Sequence, residues 1–228
     1  MDRSAGATNW GTIRKRALLM CGVVAGPLFM IVSIVQGVTR QSFNLTHQPI
    51  SFLSLGSLGW LQMSNFVVAG LLVMVFSIGV RQTLRSEAGG SGRPFAVSGV
   101  GLGLIIAGLF HPDPGFGYPQ GTPEGAPTTI TYHSQMHGVG FTLSFVFFVI
   151  ACVVFARAEA KQRRWLWVVY TAVSAVASLV LALWPGNDGI ALRDLFAAVF
   201  LWAWMTVHAV WFLRSPRPAS GRSSAEHV

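Results

Sequence analysis

Residues 139–164 read VGFTLSFVFFVIACVVFARAEAKQRR, and the junction inside that stretch decides the fold. An uncharged run that begins near Tyr132 ends at Ala156. Arg157, Lys161, Arg163 and Arg164 follow at once. A helix rises about 1.5 Å per residue, so about 20 apolar residues cross about 30 Å of hydrocarbon. The run is long enough to cross, and a short flank rich in Lys and Arg is the mark of a loop kept on the cytoplasmic side.

The same alternation runs through the whole chain. Fourteen of the sixteen Lys and Arg residues fall in four short segments, 3–16, 81–93, 157–164 and 214–222, and Arg40 and Arg193 are the exceptions. A soluble protein has no reason to sort charge in this way. Composition agrees: 52% of residues are hydrophobic, 11% are charged and the mean hydropathy is +0.55, whereas a soluble domain carries about 25% charged residues. The net charge of +8 does not indicate nucleic acid, because the cations flank apolar spans and form no stripe. Anionic headgroups of membrane lipids are the partners they fit.

Six spans are expected, at about 17–38, 60–80, 94–110, 132–156, 165–184 and 190–213. The fold class is therefore all-α, a polytopic bundle of six transmembrane helices with both termini in the cytoplasm. Residues 1–16 are expected as a cytoplasmic segment, 17–213 as the membrane domain and 214–228 as a disordered tail. The first run exceeds the apolar core of a signal peptide and is read as a retained helix. Cys21 and Cys152 lie inside apolar runs without metal spacing and read as small buried hydrophobes. Gly22 with Gly26, and Gly99 with Gly103, carry the spacing that lets helices approach closely in lipid. Pro27 is expected to kink or loosen the first helix. The glycine-rich stretch 86–93 reads as a flexible turn.

Polar residues gather at the end of the bundle away from the cations. The stretch 47–56 reads HQPISFLSLG. Pro49 suits the first turn of a short helix lying across the mouth, Gly56 suits its end, and Ser51 and Ser54 share a face. Asp113 is held between Pro112 and Pro114. His133 and His137 share one face of the fourth span, but Ser134 stands where a zinc peptidase motif has its Glu. His111 and Asp113 return to the same surface, so His111, Asp113, His133 and His137 are the candidate metal ligands, with zinc the metal that such a set would hold. Ser33, Gln36, Gln62 and Asn65 should point into the bundle. Arg40 is a candidate partner for Asp194, and Asp188 is read as the cap of the last span. His208 lies near the other end and reads as an interhelical histidine.

These landmarks carry a resemblance. Gln36-Gly37, His47-Gln48-Pro49-Ile50-Ser51, Gly59-Trp60 leading to Asn65-Phe66, Gly108-Leu109-Phe110 with Pro112-Asp113-Pro114, and His137-Gly138 resemble the bacterial six-span membrane proteins grouped as domain of unknown function 998. The resemblance covers about 17–213. It implies six membrane helices in a bacterial plasma membrane and no established activity.

The leading functional expectation is a binding protein with a polar pocket at the extracytoplasmic face, for a lipid headgroup or small polar ligand. Arg40, Ser51, Asn65, Asp113, His133 and His137 are the pocket candidates. The alternative is a membrane-embedded hydrolase, with Asp113 and His137 as the candidate catalytic groups and His111 and His133 beside them. A transporter ranks below both, because no acidic residue is expected in mid-span to relay protons.

Overall fold

The computed structural model describes residues 3–84 and 91–214, with side chains from Trp10 onward. Most of the turn expected across 86–93, and all of the tail beyond Arg214, lie outside the described residues. Within them the chain forms α1 Arg3–Thr39, α2 Gly59–Thr83, α3 Gly92–Leu109, α4 Tyr132–Lys161, α5 Trp165–Leu183 and α6 Ile190–Arg214, and no strand. Each of the six is long and apolar enough to cross a membrane.

The helices outrun the apolar windows at their charged ends. α1 reaches back to Arg3, and α4 continues through Arg157 to Lys161. The apolar window marks the thickness of hydrocarbon. The helix itself continues for as long as the sequence favours it, and Ala, Arg, Glu and Lys at 156–161 are strong helix formers. Pro27 lies inside α1, which stays helical on both sides of it.

The six helices close into a ring in chain order. Each packs on its neighbours in sequence, and α6 returns to α1. The α1–α2, α3–α4 and α5–α6 connections share one end, here the loop face. The other end, the terminal face, carries the remaining connections and both ends of the described chain. Phe29, Phe66, Phe76, Phe148, Phe155, Trp202, Trp204 and Met205 are buried in the interior. A short 3₁₀ helix, Ile50–Ser54, lies over the loop face against α1, α2 and α6, starting after Pro49 and followed by Gly56 at φ 75°.

α3 is wedged between α2 and α4, and small residues make that possible. A Cβ on Gly101 would come 2.7 Å from the carbonyl oxygen of Gly70 on α2, and one on Gly103 would overlap Ser144 of α4. Gly103 belongs to the pair expected to mediate close approach. α5 is built differently. Its buried residues are Thr171, Ser174 and Ser178, while Leu166, Val169, Val173, Val176 and Val180 are exposed. In lipid this is the favourable sense, hydroxyls toward the bundle and aliphatics toward the acyl chains.

Candidate functional site

Arg40 and the polar residues of α1 and α2 form one continuous hydrogen-bonded strip. Gln36 Nε2 donates to Gln62 Oε1 at 2.8 Å, and Gln62 Nε2 donates to Ser33 Oγ at 3.0 Å. Asn65 Nδ2 donates to the Phe29 carbonyl at 3.0 Å. Arg40 extends the strip toward the loop face. Its guanidinium donates to Gln36 Oε1 and to the carbonyls of Leu53, Leu55 and Leu58. Arg40 therefore fastens the 3₁₀ helix and the start of α2 to α1. It makes no ion pair with Asp194.

Asp113 and His137 hold the α3–α4 connection. Asp113 Oδ2 accepts from the Thr131 backbone N–H and Oδ1 from the Thr131 hydroxyl, both at 2.7 Å. The Asp113 N–H donates to Ser134 Oγ at 3.2 Å. Thr131 is in turn the N-cap of α4, accepting from the Ser134 N–H. The two prolines thus present Asp113 as a brace for the start of α4. His137 is buried, and its Nδ1 faces the carbonyls of Ala107 at 2.8 Å and Phe110 at 3.1 Å. Carbonyls only accept, so Nδ1 carries the hydrogen. These two carbonyls belong to the last turn of α3, which has no backbone donors of its own left to satisfy them.

The remaining histidines meet each other. His111 and His133 stack with ring centroids 4.9 Å apart and planes at 19°, and His111 Nδ1 donates to the Pro112 carbonyl at 3.0 Å. His133 is exposed. The candidate ligands thus divide into a stacked pair, a capping carboxylate and a carbonyl-bonded imidazole. Among the described residues no three His, Cys, Asp or Glu side chains converge as a metal site.

Among the described residues, concave regions in the loop-face half include a cleft and a cavity. The first is an open cleft of about 310 Å³ between the three connections, lined by Thr46, His47, Phe116, Glu124, Asp188 and Ile190 among others. His47 and Glu124 pair across it at 3.0 Å, both well exposed. It contains none of the expected pocket residues. The second is a cavity of about 80 Å³ inside the helix ring. Its walls are overwhelmingly apolar: Phe29 of α1, Phe66 of α2, Leu104 of α3, Phe141 and Phe145 of α4, and Leu201 and Trp202 of α6. Pro49, Ile50 and Ser51 lie over it, and no α5 residue lines it.

Three polar side chains reach the cavity, Ser51, Ser144 and Asp194. Ser144 donates to the Val100 carbonyl at 3.0 Å. Ser51 and Asp194, both half-buried, make no side-chain hydrogen bond or ion pair among the described residues. The adjacent Arg193 is turned away, donating to the carbonyls of Trp184 and Gly186 past the end of α5. Of the six expected pocket residues, Ser51 alone lines this cavity. Arg40, Asn65, Asp113 and His137 join neighbouring elements around it, and His133 stacks outside. The apolar side chains that form the walls carry no distinguishing sign in the sequence. Asp194 stood out only as an acid beside Arg193, over a turn inside the last span, that needs a partner or water.

A further polar cluster sits at the terminal face. His208 Nε2 lies 2.9 Å from Glu159 Oε1, and its Nδ1 donates to the Trp204 carbonyl at 2.9 Å. Thr171 donates to Glu159 Oε2 at 3.4 Å and accepts from Trp204 Nε1 at 3.2 Å. The interhelical role expected of His208 is therefore supplied with its partner on α4, a residue that sequence reasoning did not single out.

A ring of six apolar helices, with polar side chains joining the helices and a cavity inside, defines a multi-pass integral membrane protein of the helical class. The chain belongs to the family described as Protein of unknown function (DUF998), whose sequence profile matches residues 23–211. No curated protein and no solved structure matches the chain.

Proposed function

We propose that this protein binds an amphiphile from the bilayer, its aliphatic chain in the cavity of the helix ring and its head at the loop face. The observation that carries this reading is the cavity's composition, aromatic and aliphatic walls ending at Ser51 and Asp194 under the 3₁₀ helix. Sites for small molecules are typically apolar concavities with a few placed polar groups. Phe141 lines the cavity and is 45% exposed, which favours entry past α4. The head then lies on the extracytoplasmic side of a bacterial plasma membrane, a reading supported by the crowding of Lys and Arg at the terminal face. A hydrolytic reading has less support, because Asp113 and His137 already bond to backbone groups that would otherwise be unsatisfied.

The test uses the full chain in lipid nanodiscs and an alkyl probe with a photoreactive group near its tail. Adducts are expected on Phe141, Phe145 and Leu201. Ala198→Trp, which fills the cavity from α6, is expected to remove them while labelling of exposed Val146 and Val180 persists. Labelling confined to such exposed side chains, or unchanged by Ala198→Trp, sinks the reading.

A further inference from the structure

The geometry points to an ammonium head: we propose that the cavity selects a long-chain primary amine, whose cationic nitrogen pairs with Asp194 and donates to Ser51. The proposal rests on the amphiphile-binding reading above and concerns what the site discriminates.

The argument begins with the solvent. A chain that leaves bilayer hydrocarbon for an apolar cavity gains little, because lipid tails are as apolar as Leu or Phe. Discrimination between amphiphiles must therefore come from polar contacts. The cavity offers two free ones, the Asp194 carboxylate and the Ser51 hydroxyl. No Lys, Arg or His side chain forms an ion pair with that carboxylate among the described residues, and the neighbouring Arg193 acts on it only through space. Arg193 is bonded to the carbonyls of Trp184 and Gly186, and Arg40 to those of Leu53, Leu55 and Leu58. No Lys, Arg or His lines the cavity. The complementary charge is thus left to the ligand. An ammonium carries three donors and no acceptor, which matches a carboxylate that only accepts and a hydroxyl free to accept. An anionic head would meet a like charge at Asp194. A hydroxyl head would donate one charge-assisted hydrogen bond to the carboxylate but bring no countercharge.

The experiment uses the full chain in nanodiscs of zwitterionic lipid, where the bilayer itself does not enrich cations. Dodecylamine, dodecanol and dodecanoic acid, equal in chain and differing in head, compete with the photoreactive chain for labelling of Phe145 and Leu201. The amine is expected to compete at about tenfold lower concentration than the alcohol, the factor that about 1.4 kcal/mol supplies, with the acid weakest. Asp194→Asn, nearly identical in shape, is expected to abolish the advantage of the amine over the alcohol, and thermal unfolding in detergent reports whether the fold is intact. Equal competition by amine and alcohol, or an amine advantage that survives Asp194→Asn, overturns the proposal. Should that variant not be recovered folded, the order of the three heads on the wild-type protein decides alone. Failure of all three compounds to compete overturns the amphiphile-binding reading itself, an outcome distinct from equal competition by all three.

Discussion

His137 separates a structural role from a chemical one at the level of a single atom. Its Nδ1–H serves two carbonyls at the end of α3, so a side chain that keeps only that donor keeps the structural contribution. His137→Asn places an amide nitrogen near the position of Nδ1 and is expected to retain most of the thermal stability. His137→Leu strands both carbonyls and is expected to cost about 1 to 2 kcal/mol, the usual range for a buried polar group left without its partner. Thermal unfolding of both variants in detergent checks this, and equal losses would show that packing against Phe66, at 5.9 Å, matters more than the hydrogen bond. A hydrolytic role for the imidazole would require Nε2, which neither variant provides. The sequence made Asn65 conspicuous because polar groups in apolar runs are costly unless partnered, Asp113 because two prolines fix it, His137 because it shares a helix face with His133, and Arg40 because it departs from the sorting of the cations. That reasoning finds residues with strong reasons to exist, but it does not separate a ligand contact from a brace. The partners decide the matter, and for Asp113 and Arg40 they include backbone groups whose positions depend on the folded loops. Ser51 and Asp194 are distinguished only by lacking such partners, which no sequence displays.

At the scale of elements, the lengths and order of the helices were legible because hydrocarbon thickness imposes them. Their inward faces were not. In a soluble helix the apolar stripe marks the core, but in lipid both faces are apolar, and Phe141 in the cavity wall looks no different from Val139 facing lipid. The readable signal was the reverse one, hydroxyls at 171, 174 and 178 marking the buried side of α5, a spacing that keeps them on one face. Thr171 belongs to the cluster that joins α4, α5 and α6 through Glu159 and His208, with ring centroids of Phe155, Trp167 and Trp204 within 4.4 to 5.1 Å of the imidazole. A buried pair of this kind binds its elements together mainly by making separation costly. Removing one partner strands the other, whereas replacing both with apolar groups of similar volume is often neutral. His208→Leu alone is therefore expected to lower the thermal midpoint more than His208→Leu combined with Glu159→Met. The measurement is a double-mutant cycle on detergent-solubilised protein. Losses that simply add would mean that the two side chains act independently and that their 2.9 Å contact does not couple α4 to α6.

At the scale of the whole molecule, folding sharpens the charge asymmetry from which the topology was inferred. The terminal face displays exposed Arg157, Lys161, Arg163 and Arg164 on the α4–α5 side, with Arg81 and Arg214 nearby in the ring. The two cations that break the sequence pattern, Arg40 and Arg193, lie at the loop face with their guanidiniums folded onto backbone carbonyls. A guanidinium bonded in this way is fixed to the loop that it caps. The loop-face acids differ among themselves: Glu124 is 77% exposed on its side chain, whereas Asp113 is buried and held by Thr131. The positive-inside bias counts Lys and Arg in short loops close to the helix ends, and the α4–α5 connection fits that description closely. Orientation is therefore decided by which face a membrane-impermeant thiol reagent reaches in intact cells. With Cys21 and Cys152 replaced by Ala, Gly121→Cys at the exposed α3–α4 connection is expected to be labelled, and Gln162→Cys between α4 and α5 only after the membrane is permeabilised. The reverse result would place the terminal face outside and turn the cavity mouth at Ser51 and Asp194 toward the cytoplasm. The amphiphile would then have to be drawn from the inner leaflet, and the anionic lipids that the cations are expected to contact would have to lie in the outer one.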